Sequence, residues 1–136
     1  MDIDSFIRPH LLNLRTFDAV VARDVLASKA GIPERNIVKL NGNENPYGCS
    51  PLVREAVLKV PMHIYPDPEQ SKMREALSKY TGLDPGNIVV GAGADELIDL
   101  LFRLFVSPGD TILDFEPTFG LYTFCANVAG GKVLFV

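Results

Sequence analysis

A glycine-rich segment, Val90-Gly91-Ala92-Gly93-Ala94-Asp95-Glu96, is the part of the sequence best suited to hold a phosphate. It follows a short apolar run and opens a predicted helix, so the glycines would let the backbone approach a ligand where a helix N-terminus offers N–H groups and partial positive charge. A plain turn with Asp95 as helix cap explains the segment equally well. The dinucleotide fingerprint fails because Glu96 stands where its third glycine belongs.

An aromatic side chain follows the second predicted strand, in the segment Pro117-Thr118-Phe119-Gly120-Leu121-Tyr122. In an open α/β sheet, ligands lie beyond the carboxyl ends of the strands. Phe119 would therefore lie beside the glycine-rich loop, where its ring could stack on a flat cofactor. Judged on its own, Phe119 fits better as a core residue under the following helix.

Polar side chains are concentrated in the segment Asn41 to Gly48, which is predicted to be a loop. Asn43, Glu44 and Asn45 bring more amide and carboxylate groups than a turn requires, and they could bind a polar ligand. The alternative is a solvated loop whose asparagines bond their own backbone.

Tyr65 lies in Ile64-Tyr65-Pro66-Asp67-Pro68, where the prolines favour a stiff, extended backbone. Such a segment suits a hydroxyl that reaches toward another surface. The alternative is a helix-entry turn with Tyr65 packed against it.

No lysine of the chain is predicted to be catalytic. A lysine that forms a Schiff base should lie in an apolar pocket, which lowers its pKa. All six lysines lie in or beside polar stretches or on predicted helix surfaces; they are Lys29, Lys39, Lys59, Lys72, Lys79 and Lys132.

The elements that must position these residues alternate between helical and extended patterns. A helix with Phe17, Val20, Val21, Val25 and Leu26 on one face is predicted to stop at Gly31-Ile32-Pro33, and Met62 to Pro68 to be extended. Further helices are predicted from Ser50-Pro51 to Pro61, from Asp67-Pro68 to Gly82, over Asp95 to Val106 and within Pro117 to Val128. Strands are predicted at Ile88–Val90, Thr111–Phe115 and Lys132–Val136.

This succession of strand, helix, strand, helix and strand predicts an α/β fold with crossover helices. The sequence ends inside an apolar strand, Val133-Leu134-Phe135-Val136. Because an apolar strand needs neighbours, we expect the chain to be a fragment.

Composition restricts the classes of partner. The 136 residues carry a net charge of -4 with scattered basic residues, which argues against nucleic acid. No apolar run approaches the roughly 18 residues of a membrane span, and no signal peptide is evident. Cys49 and Cys125 read as free thiols of a reducing cytosol, and they form no metal-ligand cluster with His10 or His63.

In order and spacing, these four motifs resemble histidinol-phosphate aminotransferases of the fold type I superfamily that depends on pyridoxal 5'-phosphate (PLP). The resemblance runs from Phe6-Ile7-Arg8-Pro9-His10-Leu11 to Val136 and is greater to the plant and cyanobacterial type than to the enterobacterial one. It implies a three-layer αβα fold, with the chain forming the N-terminal part of the large PLP-binding domain behind an N-terminal arm. The expected domains are residues 1–50 (arm, helix and substrate-side loop) and residues 51–136 (the incomplete PLP-binding domain).

The resemblance also implies a role for each motif. Gly93, Ala94 and Asp95 would hold the PLP phosphate, mainly through backbone N–H groups, and Phe119 would stack on the pyridine ring. Tyr65 would reach the PLP phosphate of a neighbouring subunit, which implies a homodimer, and Asn43, Glu44 and Asn45 would lie near the substrate. The implied reaction moves an amino group between glutamate/2-oxoglutarate and histidinol phosphate/imidazole acetol phosphate, in histidine biosynthesis.

Two residues depart from the family's pattern. Ala94 stands where many members have serine, so a hydroxyl contact to the phosphate would be missing. Phe17 stands where the arm usually carries tyrosine, so a hydroxyl contact to the substrate phosphate would be missing as well.

The family's Schiff-base lysine, the residues under the pyridine ring and the substrate-binding arginine fall beyond this chain, which is therefore expected to be inactive alone. One alternative is a non-catalytic fragment that binds phosphate or PLP, or assembles with another subunit. The other is a different class I/II aminotransferase or a threonine-phosphate decarboxylase relative. The expected compartment is the cytoplasm, or a plastid in a plant.

Overall fold

The structure, a computed structural model, describes residues 2–17 and 20–136. Within these, residues 2–17 and 67–136 form one compact unit and residues 20–66 form a second. The first unit contains the strands and the longer helices. The second contains two short helices joined by turns. The predicted domain boundary between residues 50 and 51 stays a prediction.

The first unit has a pair of parallel strands, β1 (Thr111–Asp114) and β2 (Lys132–Phe135). Helix α5 (Leu121–Ala129) connects them, as the predicted crossover requires. Its inner face holds Leu121, Cys125 and Ala126, the buried apolar residues of this unit. The α/β prediction is therefore confirmed, and the carboxyl ends of both strands lie at the same edge of the pair.

Backbone contacts close the opposite, amino-terminal edge of the two strands. The Gly109 N–H donates to the Gly130 carbonyl at 2.9 Å, which joins the turn before β1 to the turn before β2. A Cβ placed on Gly131 would lie 3.1 Å from Val106 Cγ1 and would overlap Ile112. This edge therefore has no room for a side chain at residue 131.

Two more helices complete the first unit, α3 (Ser71–Thr81) and α4 (Ala94–Phe105). Asp67 caps α3 by accepting the N–H groups of Glu69 and Ser71, both at 3.0 Å. These bonds hold the pKa of Asp67 below its usual value. Helix α4 packs against α5.

The second unit contains α1 (Arg23–Ala30) and α2 (Pro51–Leu58). Ser50 caps α2 as predicted, because its hydroxyl accepts the Leu52 N–H at 3.3 Å with proline at the first helical position. Gly31 ends α1, as the sequence indicates.

Three local predictions were wrong. Helix α1 begins only at Arg23, so Phe17, Val20 and Val21 precede it; residues 18 and 19 of the predicted helix lie outside the described residues. Residues 88–90 form no strand in the described chain, and Val89 is 73% exposed, because no neighbouring backbone pairs with it there. Residues 62 and 63 form a turn where an extended segment was expected.

None of the helices in residues 2–17 and 20–136 combines the length and apolar character needed to cross a bilayer.

Candidate functional site

The glycine-rich loop precedes α4, as predicted, and Gly93 is the residue just before the helix. Gly93 has φ 93° and ψ 176°, a conformation that glycine alone adopts readily. No acceptor in residues 2–17 and 20–136 takes the N–H groups of Gly93, Ala94 or Asp95. Three successive unpaired N–H groups at a helix N-terminus form a suitable site for an anion.

Two side chains hold the loop from either end. The Gln70 amide donates to the Val90 carbonyl at 3.0 Å, just before the loop, from a residue whose own φ is 55°. The Glu96 carboxylate accepts the Ala92 N–H. Sequence reasoning missed both contacts, although the spacing of Gly93 and Glu96 is that of a helix N-cap and a reach-back glutamate.

Phe119 lies in the connection between β1 and α5, beyond the carboxyl end of β1. Its ring is 45% exposed and is not the core residue that the alternative interpretation required. Phe17 meets it edge-on, with ring centroids 5.8 Å apart, and Tyr122 is also in an edge-on arrangement with it at 6.3 Å. Phe17 also contacts Phe124 at 6.0 Å, so an aromatic cluster supports the Phe119 ring.

Asp114, the last residue of β1, is a buried carboxylate at this edge, with 7% exposure. One oxygen accepts the Phe115 N–H at 3.0 Å and the other accepts the Thr123 hydroxyl at 3.3 Å. These bonds join both ends of the connection that carries Phe119. Sequence analysis passed over Asp114, although an acid at the carboxyl end of a predicted strand is a signal that it could have used.

Helices α4 and α5 pack together, so the two loops that precede them belong to one unit. Cys125, buried in α5, lies within electrostatic reach of α4: burial and the negative charges of Asp99 and Asp95 raise the pKa of its thiol. Asp95 and Cys125 thus lie on two helices that pack together within one unit.

The asparagine-rich loop belongs to the second unit. Asn45 shapes it by accepting the Tyr47 N–H at 3.1 Å and donating to the Gly48 carbonyl at 2.9 Å, while Asn43 has φ 49°. Glu44 pairs with the Lys39 ammonium at 3.0 Å.

The Lys39 side chain is only 9% exposed, although it lies beside a polar stretch of the sequence. Its ammonium is nevertheless engaged by Glu44 and is not the unpaired amine of a Schiff-base lysine. Tyr65, also in the second unit, is 98% exposed.

A family model identifies the chain. Residues 35–136 match the model described as aminotransferase class I and II. The chain belongs to this family. The match includes the glycine-rich loop, Phe119, Tyr65 and the asparagine-rich loop.

The chain is also similar to individual curated members of the family. The chain is 47% identical over 133 residues to histidinol-phosphate aminotransferase 1, chloroplastic, of Arabidopsis thaliana, and 48% identical over 133 residues to the chloroplastic enzyme of Nicotiana tabacum. Each match covers 96% of this chain and 32% of the relative. The histidinol-phosphate aminotransferase of Roseiflexus castenholzii is 41% identical over 140 residues, or 98% of this chain and 38% of the relative. This aminotransferase-family chain thus spans about a third of the length of these relatives.

A solved structure supports the fold. The histidinol-phosphate aminotransferase of Sinorhizobium meliloti in complex with pyridoxal-5'-phosphate superimposes with a TM-score of 0.80 at 25% identity. The superposition covers 97% of this chain and 35% of the other. The predicted fold is therefore that of a solved PLP-bound aminotransferase.

Proposed function

We propose that the protein carrying this chain is a PLP-dependent aminotransferase that transfers an amino group between glutamate/2-oxoglutarate and histidinol phosphate/imidazole acetol phosphate. The similarity to histidinol-phosphate aminotransferases over 96% or more of the chain carries the proposal. Another aminotransferase of class I and II is the second candidate, since Phe17 lacks the hydroxyl expected to hold the substrate phosphate.

The residues of the glycine-rich loop fit the phosphate of PLP. The unpaired N–H groups of Gly93, Ala94 and Asp95 would bind its oxygens, and the helix dipole of α4 would favour its charge. Phe119, exposed at the carboxyl edge and supported by Phe17, would stack on the pyridine ring. Bound there, PLP supplies the electron sink for transamination.

The asparagine-rich loop would bind the substrate. Asn43 and Asn45 would present amides to the substrate from a loop whose shape the Asn45 bonds fix. Glu44 would act on loop shape through Lys39 as much as on substrate. Tyr65, with its side chain almost fully exposed, would reach the PLP phosphate of a second subunit in a homodimer.

Because the chain spans about a third of its relatives and no lysine in it is predicted to form the Schiff base, we expect the 136-residue chain alone not to transaminate. The plant relatives are named chloroplastic, and a plastid location is proposed if the protein comes from a plant. In a bacterium the cytoplasm is proposed.

The test is an assay of the natural gene product with PLP, glutamate and imidazole acetol phosphate. Formation of histidinol phosphate, with slower turnover when an unphosphorylated 2-oxo acid replaces imidazole acetol phosphate, supports the proposal. Turnover only with unphosphorylated 2-oxo acids would instead identify another class I/II aminotransferase. Failure to bind PLP would reject both.

A further inference from the structure

We infer that Glu96 is a positioning residue of the glycine-rich loop, an inference that rests on the proposed function. Its carboxylate holds the Ala92 N–H, which fixes the loop and leaves the next three N–H groups for the PLP phosphate. Glu96 itself makes no contact with the phosphate.

The position of Glu96 in α4 supports this role. Glu96 is the third residue of the helix, where a glutamate ordinarily turns back to the N–H of the residue before the helix. Here that residue is Gly93, yet the carboxylate bonds one residue earlier, to Ala92. The Gly93 N–H therefore stays available, together with those of Ala94 and Asp95.

Gly91 supplies independent support, because the lack of a side chain at this residue leaves room for the Glu96 carboxylate. A Cβ on Gly91 would lie 2.7 Å from Glu96 Oε2 and 3.0 Å from Leu97 Cδ2. Any larger residue at this position would push the carboxylate away from Ala92. Glycine at residue 91 thus leaves space for the Glu96 side chain, whereas glycine at residue 93 permits a positive φ.

Charge explains why a carboxylate is tolerated near a phosphate site. The helix N-terminus favours negative charge in its first turn, and the Ala92 N–H neutralises part of it. Glutamine in place of Glu96 could still accept this bond but would carry no charge. A role in shaping the loop therefore predicts that glutamine can replace Glu96 and alanine cannot.

The test compares Glu96→Ala, Glu96→Gln and the wild-type natural gene product, with Glu75→Ala as a control for loss of an exposed glutamate on α3. Dissociation constants are measured by absorbance titration with PLP and with pyridoxal, which lacks the phosphate. We expect Glu96→Ala to weaken PLP about tenfold, as for loss of a charged hydrogen bond, and to leave pyridoxal within about twofold. Glu96→Gln should restore most of the PLP affinity, and Glu75→Ala should match the wild type.

A wild-type PLP/pyridoxal affinity ratio in Glu96→Ala would overturn the inference, and so would equal losses in the alanine and glutamine variants. If the wild type itself binds PLP and pyridoxal equally, the proposed phosphate site is wrong and the inference falls with it. A general loss of folding in Glu96→Ala would lower both affinities together and would also contradict the inference.

A double-mutant cycle with Gly91→Ala provides a second measurement that does not depend on Glu96→Ala alone. When Glu96 is present, the methyl group added by Gly91→Ala displaces the Glu96 carboxylate, so this substitution should weaken PLP binding. In the Glu96→Ala background that displacement has no further effect on the Ala92 bond, and the two losses should be clearly less than additive. Additive losses would separate Gly91 from Glu96 and reject the inference.

Discussion

Two loops of the first unit lead into helices, and they differ in the atoms that they present and in the conformation of their last residue. The loop before α4 ends at Gly93, whose φ of 93° few other residues tolerate, and its N–H groups are its functional atoms. The loop before α5 ends at Gly120, whose φ of -60° is ordinary, and side chains fix it. Backbone conformation at Gly93 and hydrogen bonds from side chains to the backbone define the first loop, while aromatic packing and a buried acid define the second.

The difference indicates which changes each loop tolerates. A loop that binds through N–H groups is insensitive to most side chains but sensitive to φ and ψ. A loop that presents an aromatic ring depends on the neighbours that hold that ring in place. Four predictions test this contrast.

Asp114→Ala should have the largest effect, a loss of about 3 kcal/mol in the free energy of unfolding. The substitution leaves the half-buried Thr123 hydroxyl and the Phe115 N–H without their acceptor. Urea denaturation of the protein measures it. Thr123→Val, which removes one of the two bonds, should cost clearly less; equal stability of Asp114→Ala and the wild type would show that the second loop does not depend on this acid.

Gly93→Ala should cost about 2 kcal/mol in unfolding free energy, because a Cβ is strained at φ 93° even though space around it is open. It should also weaken PLP relative to pyridoxal. Gly109→Ala is the matched control, with φ 94° and equally open surroundings in a turn away from the site. It should lose similar stability and keep the PLP/pyridoxal affinity ratio; a changed ratio in Gly109→Ala would remove the distinction.

Phe17→Leu should cost about 1 kcal/mol through loss of the edge-on contact with Phe119. We expect PLP and pyridoxal affinities to fall together, because the change affects ring stacking and leaves the phosphate loop intact. Thermal unfolding and absorbance titration measure the two effects. A selective loss of PLP affinity would mean that Phe17 acts on the phosphate loop instead.

Gly120→Ala should have the smallest effect, within about 0.5 kcal/mol of the wild type, since alanine adopts this φ and its Cβ would have only the Phe17 ring nearby, at 3.9 Å. Comparison of its urea midpoint with that of Gly93→Ala gives the sharpest single measure of the contrast. Equal losses of unfolding free energy in Gly93→Ala and Gly120→Ala would contradict the contrast between the two loops.

The sequence predicted the elements whose signals are local. Ser50-Pro51 marks the start of α2, Gly31 and Gly82 mark helix ends, and the apolar runs mark β1 and β2. The glycine-rich loop was also predictable, because its glycines and the helix behind it are adjacent in the chain.

Contacts between distant residues could not be predicted in the same way. The Phe17–Phe119 contact joins residues about 100 positions apart, and no periodicity announces it. The Lys39 side chain is only 9% exposed although it lies beside a polar stretch, and the polarity of the sequence does not indicate this low exposure. The strand predicted at residues 88–90 failed because a strand is defined by its neighbour as well as by its own apolar residues.

The closed amino-terminal edge of the strands has a consequence for how this protein can evolve. Gly131 lies against Ile112 and Val106, so even alanine there would force two half-buried side chains to move. A deep mutational scan that measures protein abundance should therefore find that almost every substitution at residue 131 lowers it, whatever substrate is supplied. Substitutions that change function are therefore expected at exposed residues of the carboxyl edge, such as Phe119, where a different side chain does not disturb the packing of the strands.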